Sequence, residues 1–272
     1  MNHHEQPRPD TGEDPQFLEH WARVIRSGRP MSPPLLAESG MSWYRKYHKH
    51  EALPGVWVHT DAIQTPELPQ GKLAVFIAAP SHAGKDATVQ YIQAACPELV
   101  YPVITATDRP PRPGEIHGVH QLFLQPEEFQ HWAASGKFIE YSPTRPPYWF
   151  GIPRASIETA MQRAPIQIFR ITNDGIETVQ PLINAIEPTV TIAIIPTLPL
   201  KEYRSKLYDS GKENPGVRYV TALEEIYRFG KPPHPFSFII ENPWDKSHVP
   251  RQAGSSLHML LHQLSGTTHT KY

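Results

Sequence analysis

Two short stretches of this 272-residue chain carry residue types suited to handling phosphate. The first runs Ala79-Pro80-Ser81-His82-Ala83-Gly84-Lys85-Asp86-Ala87. A small-residue turn that ends in Gly-Lys and opens a helix offers backbone N–H groups and a helix N-terminus to an anion, while its lysine reaches the outer phosphates. Ser81, His82, Ala83, Gly84, Lys85, Asp86 and Ala87 are therefore the candidate donor-phosphate residues. Against the pattern GxxxxGK[ST], Ala79 replaces the first glycine and Asp86 replaces the hydroxyl residue that would hold Mg²⁺. A carboxylate is itself a hard ligand for that ion, so Asp86 is the candidate metal residue. The alternative is a loop that no longer turns over a nucleotide.

The second stretch is Thr105-Ala106-Thr107-Asp108-Arg109-Pro110-Pro111-Arg112-Pro113-Gly114-Glu115. Arg109 and Arg112, held between prolines, form a stiff cationic fork. Guanidinium groups recognise phosphate through paired hydrogen bonds, and the prolines limit the entropy lost on binding. A surface loop is the alternative for such a fork taken alone. Its place about twenty residues after the loop lysine favours phosphate binding.

These residues need elements to hold them. Leu73 to Ala78 is continuously apolar and reads as a buried parallel strand, and residues 87–95 have helical spacing. From Lys72 onward apolar strands alternate with helices, which predicts an α/β domain with a largely parallel sheet. The expected core strands are 73–78, 166–171, 190–195 and 236–240. The expected further helices are 127–135, stopped by Gly136, then 156–163, 175–186, 200–210 and 217–229. Upstream, residues 1 to about 13 read as disordered. Asp14-Pro15 starts a short helix carrying Phe17, Leu18, Trp21, Val24 and Ile25, Val56 to His59 could be a short strand, and residues 61–70 read as a linker. The resulting division is an extension over 1–70, a main domain over 71–266 and a tail over 267–272.

Composition removes several function classes. The formal net charge is −1, which gives no global pull toward nucleic acid or membrane. The aromatic and basic run Trp43 to His50 has the composition of a single-strand binder, but an amphipathic surface segment is the simpler reading and nucleic acid is not expected. No apolar run approaches the ~18 residues of a membrane span, and the first residues lack a signal-peptide core. The single cysteine, Cys96, excludes an intrachain disulfide and multi-cysteine zinc, and points to a reducing, cytoplasmic setting. Thirty-one prolines predict stiff connections between short elements. Of the fifteen histidines, no pair is expected to stand four apart on a helix as metal ligands do. Oligomeric state is not readable.

The ordered motifs resemble those of the guanylate kinases over roughly residues 72–265. The family's G-P-S-G-x-G-K loop is matched from Ala79, and its T-T-R-x-P-R-x-G-E-x-x-G loop from Thr107 to Gly118. Its F-x-E-E-F and G-x-F-[IL]-E are met by Leu124 to Phe129 and Gly136 to Glu140, and its N-Y-Y-G-[TS] turn is echoed by Tyr148 to Pro153. The resemblance implies an α/β P-loop kinase fold, with a central parallel sheet flanked by helices, a small acceptor-binding subdomain and a lid. It implies ATP and Mg²⁺ as donor and cofactor, and GMP or a related monophosphate as acceptor. Residue by residue it assigns Gly84 and Lys85 to the donor phosphates and Arg109 and Arg112 to the acceptor phosphate. Glu140 would take guanine, Arg218 would serve catalysis from the helix after the lid, and Asn242 would lie by the adenine. Thr105, Glu115, Gln121 and Phe150 complete the candidate acceptor site.

Departures from the pattern qualify what the resemblance implies. Gln121 and Phe150 stand where the family has phosphate-binding tyrosines, and Ile152 replaces a neighbouring hydroxyl residue. The family's D-I-D becomes Arg170-Ile171-Thr172, with Asp174 the nearby acid available to compensate. Lys206 and Lys212 occupy the lid where arginines are usual. Gly-Lys-Asp also resembles the loop of the ribose 1,5-bisphosphate phosphokinases, so a different phosphorylated acceptor is one alternative. A catalytically inactive, ligand- or partner-binding module of this family is the other.

Overall fold

The computed structural model describes residues 50–53, 56–58, 72–145, 148–211, 215–230, 236–243 and 249–264. The expected helix after Asp14, the basic run up to Lys49, the linker 61–70, Lys212 and the tail lie outside them.

Eleven strands lie among the described residues. The main sheet contains β1 (His50–Leu53), β2 (Val56–Val58), β3 (Leu73–Ala78), β4 (Val100–Pro102), β9 (Ile166–Arg170), β10 (Thr189–Pro196) and β11 (Phe238–Asn242). Their spatial order is β1-β2-β11-β10-β3-β9-β4. The five strands from β11 to β4 run parallel, while β1 and β2 add antiparallel at the edge. All four expected core strands are present. β1 and β2 come from the segment expected as an extension, and they lengthen the edge of this sheet.

Alternation along β3 explains the layers. Ala74, Phe76 and Ala78 face one apolar cluster, and Leu73, Val75 and Ile77 face the other. The first cluster is closed by α4 (Asn173–Asn184), α5 (Leu200–Tyr208) and α6 (Pro215–Gly230), with Phe76 stacked on Phe169 at 4.6 Å. The second is closed by α1 (Lys85–Ala95) and α7 (Val249–Leu264). A strand buried on both faces needs apolar residues at every position, which is the continuous run seen in the sequence.

Helix α7 was not expected from the sequence, because Pro250 and Gly254 weaken its helical pattern. Packing supplies the reason for the glycine: a Cβ at Gly254 would lie 2.4 Å from Tyr91 Cδ1 on α1. The helix also corrects the histidine reading. His258 and His262 stand four apart on it, with their Nε2 atoms 2.8 Å apart. Among the described residues no third ligand joins them into a metal-binding group.

A second sheet, ordered β6-β5-β8-β7, forms a lobe over residues 106–153. It comprises β5 (Ala106–Thr107), β6 (Leu122–Phe123), β7 (Phe138–Arg145) and β8 (Tyr148–Pro153), packed by α2 (Pro126–Ala134). Ala106, Leu124, Phe129 and Phe138 are its buried centre. Helix α3 (Arg154–Arg163) returns the chain to β9. No helix among the described residues is long and apolar enough to cross a membrane.

Candidate active site

The carboxyl ends of parallel strands are where open α/β sheets bind ligands, and the phosphate loop leaves the end of β3. His82 and Gly84 both have positive φ, at 66° and 85°. Left-handed residues at alternate positions turn successive N–H groups toward one side, forming an anion-binding concavity. For His82 that conformation is costly, of order 1–2 kcal/mol, so neighbours must enforce it. Ala83 N–H donates to Pro80 O at 3.1 Å, and Thr88 N–H donates to Gly84 O at 2.9 Å.

Two distant side chains hold the loop from outside. Asn242, at the end of β11 and buried, donates its amide to Ala83 O at 2.8 Å. Tyr203 on α5 donates its hydroxyl to Ser81 O. Burial raises the Tyr203 phenol well above its ordinary value, with Glu225 and Tyr219 adding in the same direction, so it remains a donor. Asn242 thus spends its amide on the loop itself, at a buried position behind it. Tyr203 was missed in the sequence, since 122 residues separate it from Ser81 and no motif marks it.

The arginine loop is built on β5. Thr107 Oγ1 donates to Trp149 O at 2.8 Å and accepts from Arg109 N–H at 3.1 Å. Asp108 accepts from Trp149 N–H at 2.8 Å, so the loop's first residues are locked to β8. Arg109 then places one nitrogen against both Glu115 oxygens, at 3.0 and 2.9 Å, and against Gln121 Oε1 at 3.1 Å. Gln121 passes the network on to Thr105 Oγ1 at 3.2 Å. Glu115 also accepts from Arg112 N–H at 2.6 Å. Partial burial pushes the Glu115 carboxyl up, but the Arg112 N–H and the Arg109 guanidinium outweigh it and hold the carboxyl below its ordinary value. The fork read from the sequence is thus uneven: Arg109 is 11% exposed and pairs with Glu115 at 2.9 Å, whereas Arg112 is 44% exposed and meets the same carboxylate at 4.0 Å.

A cavity of about 420 Å³ joins the two halves. From the donor loop it is lined by Lys85 and Asp86, and from the acceptor lobe by Thr105, Arg109, Arg112, Glu115, Gln121, Glu140 and Phe150. Gln90, His120 and Ser142, which the sequence reading had not assigned to the site, also line it, as do Arg170 and Thr172, which stand where the family pattern has its acidic pair. Glu140 reaches it where the β7–β8 register shifts between Phe138 and Glu140, a bulge that re-aims one side chain. Burial raises the Glu140 carboxyl above its ordinary value, opposed by a hydrogen bond from Ser142. Arg218 lies on α6 and does not line the cavity, nor do Ser81, His82, Ala83, Ala87 and Asn242.

Arg170, the last residue of β9, is aligned with Ile77 of β3 and is 14% exposed. It lies 3.8 Å from Asp86 Oδ1 and donates to His120 O at 2.9 Å. Asp174 does not compensate for the missing acid, because it pairs with Arg228 at 3.0 Å and is 81% exposed.

Among the described residues no group of three or more metal-ligating side chains exists, and Asp86 is the carboxylate nearest the loop lysine in sequence. One exposed carboxylate beside a phosphate cradle fits Mg²⁺, which takes one or two carboxylates and relies on substrate oxygens and water for the rest.

A family model described as guanylate kinase matches residues 71–243. The guanylate kinase of Gluconobacter oxydans (strain 621H) is 31% identical over 172 residues, spanning 62% of this chain and 80% of that protein. That of Rubrobacter xylanophilus is 31% identical over 160 residues, spanning 58% of this chain and 80% of that protein. The crystal structure of guanylate kinase from Anaplasma phagocytophilum superimposes with a TM-score of 0.52 at 19% identity, covering 74% of this chain and 90% of that one, which bears on the fold. With the family pattern spanning the phosphate loop, the arginine loop and the parallel sheet that carries them, this chain belongs to the guanylate kinase family of phosphotransferases.

Proposed function

We propose that this chain transfers the γ-phosphoryl group of ATP to GMP or a related nucleoside monophosphate, with residues 71–266 as the catalytic domain. The observation that carries the reading is one cavity lined by Lys85 and Asp86 on one side and by Arg109, Arg112 and Glu140 on the other. A phosphoryl donor and acceptor held there would face each other, and phosphoryl transfer needs little more than positioning and charge neutralisation. Lys85 and the loop N–H groups bind the donor phosphates. Arg112 and the Glu115-braced Arg109 bind the acceptor phosphate. Glu140, when ionised, accepts hydrogen bonds from the N1–H and amino group of guanine, which adenine cannot supply. Mg²⁺ held by Asp86 and the donor phosphates would neutralise charge on the triphosphate.

A second reading has a specific observation behind it. Arg170 adds a cation where the family pattern carries an acid, which suits an acceptor with a further phosphate, such as ribose 1,5-bisphosphate. A coupled ADP-release assay with GMP, dGMP, AMP and ribose 1,5-bisphosphate separates the readings. Preferred turnover of GMP or dGMP supports the first and preferred turnover of the sugar phosphate the second. Silence with all four would sink both and leave a ligand-binding module, recognised by stabilisation with GMP but not with Mg-ATP.

A further inference from the structure

We infer that Arg170 is a catalytic residue that contacts the phosphoryl group while it passes from donor to acceptor. The inference rests on the phosphotransfer reading above and adds a residue that the family's motifs do not supply.

Placement is the first observation. Arg170 ends β9 beside β3, in register with Ile77, so its side chain leaves the sheet next to the root of the phosphate loop. The Lys85 ammonium lies 3.4 Å from the carbonyl of Ile171, the very next residue. A loop lysine of this kind reaches the outer phosphates of the donor. Arg170 therefore stands beside the cation that meets the terminal phosphate.

What holds it is the second. One end of the guanidinium faces Asp86 on the donor loop at 3.8 Å, and the other donates to His120 O on the acceptor loop at 2.9 Å. The group thus spans the junction between the two half-sites, where the reacting phosphorus must sit. Its Nε is buried without a hydrogen-bond partner, an unmet donor beside the cavity. The Asp86 contact is long and its carboxylate is 73% exposed, so a phosphate can take over that end at little cost.

The step balances without a proton. An oxygen of the acceptor's phosphate dianion forms a bond to the terminal phosphorus of the triphosphate. The bond from that phosphorus to the bridging oxygen breaks, and the oxygen leaves with the electron pair as part of ADP. Charge spreads over the three equatorial oxygens in between, and an arginine is suited to meet two of them at once. Such an arginine, supplied from within the chain, takes the part that an arginine finger plays elsewhere.

The test is a comparison of wild type with Arg170→Ala, Arg170→Lys and Arg170→Gln. The expected result is a fall in kcat of roughly 100- to 1,000-fold for Arg170→Ala, with both KM values little changed. Added guanidinium should partly restore Arg170→Ala, and Arg170→Lys should fall between it and wild type. Thermal shift gives a readout without turnover. ADP alone should stabilise wild type and Arg170→Ala alike, whereas the extra stabilisation by ADP, aluminium fluoride and acceptor together should be lost in the variant. A rise in acceptor KM with kcat retained would overturn the inference and assign Arg170 to acceptor binding. Unchanged kinetics in all three variants would overturn it too. A wild type that is silent toward every acceptor and unshifted by ADP would overturn the kinase reading and this inference together, while an active wild type matched by Arg170→Ala overturns this inference alone.

Discussion

Arg109 presents a single guanidinium nitrogen to both carboxylate oxygens of Glu115, at 3.0 and 2.9 Å, inside a loop that begins and ends beside the cavity. The same carboxylate takes the Arg112 backbone N–H. Glu115 thus orders both arginines at once, one through its side chain and one through its backbone. Replacing it with glutamine keeps the size and removes the charge. A charge-assisted bond of this kind is worth about 1.5–3 kcal/mol, so Glu115→Gln is expected to raise the acceptor KM by roughly tenfold or more. kcat at saturation should change far less, and steady-state kinetics with varied acceptor checks both.

The pH dependence of that brace has a definite sign. Glu115 is held below its ordinary value of 4.5 in the folded chain. A carboxyl with a depressed folded-state pKa contributes stability that is present above the unfolded value and lost as pH falls through the folded one. Acid titration followed by circular dichroism should therefore show wild type losing more stability below pH 4.5 than Glu115→Gln does.

Glu140 runs the other way. Burial raises its carboxyl above the ordinary 4.5. Between those two values the folded state holds the extra proton, so its contribution to stability falls as pH rises through the window. Guanine recognition needs the ionised form, so GMP affinity should rise with pH through the same window. Glu140→Gln should flatten that profile and narrow the preference for GMP over AMP, as calorimetric titration at several pH values would reveal.

The donor loop is held by Asn242 and Tyr203 rather than by its own sequence. Asn242→Ala leaves the buried Ala83 carbonyl without its 2.8 Å donor. An unsatisfied buried acceptor costs about 1–3 kcal/mol, and the loss falls on the donor loop. The ATP KM should rise about tenfold while the acceptor KM stays near wild type. Tyr203→Phe should act in the same direction and more weakly, because Ser81 is only partly buried and water can replace the hydroxyl.

Away from the site, α1 and α7 meet where a Cβ at Gly254 would stand 2.4 Å from Tyr91 Cδ1. Gly254→Val is expected to cost about 1–3 kcal/mol through overpacking, read from the urea midpoint. Gly254→Ala should be milder and of the same sign.

How much of this was legible beforehand depended on the range of the interaction. Strand β3 declared itself through six consecutive apolar residues, and Gly84-Lys85 and Arg109-Arg112 through local chemistry that a loop must spell out in order. Helix α7 did not, because its glycine answers to Tyr91, 163 positions earlier in the chain. Strand β2 was legible as a short apolar run, but β1 was not, since its place depends on pairing with β2 at the edge of a sheet that β11 supplies from far along the chain.

The sequence by itself determined the family, the α/β class and the two phosphate-handling loops, because those are set by short runs of adjacent residues. Only the tertiary structure decided how their charges are shared. Arg109 reads as a free cation until Glu115 is seen against it. Asp174 reads as a spare acid until it meets Arg228. Arg170 reads as the loss of an acid until β9 sets it beside β3, between Asp86 and the His120 carbonyl. The field at a point depends on which groups folding brings within a few ångströms of it, and residue order alone does not carry that information.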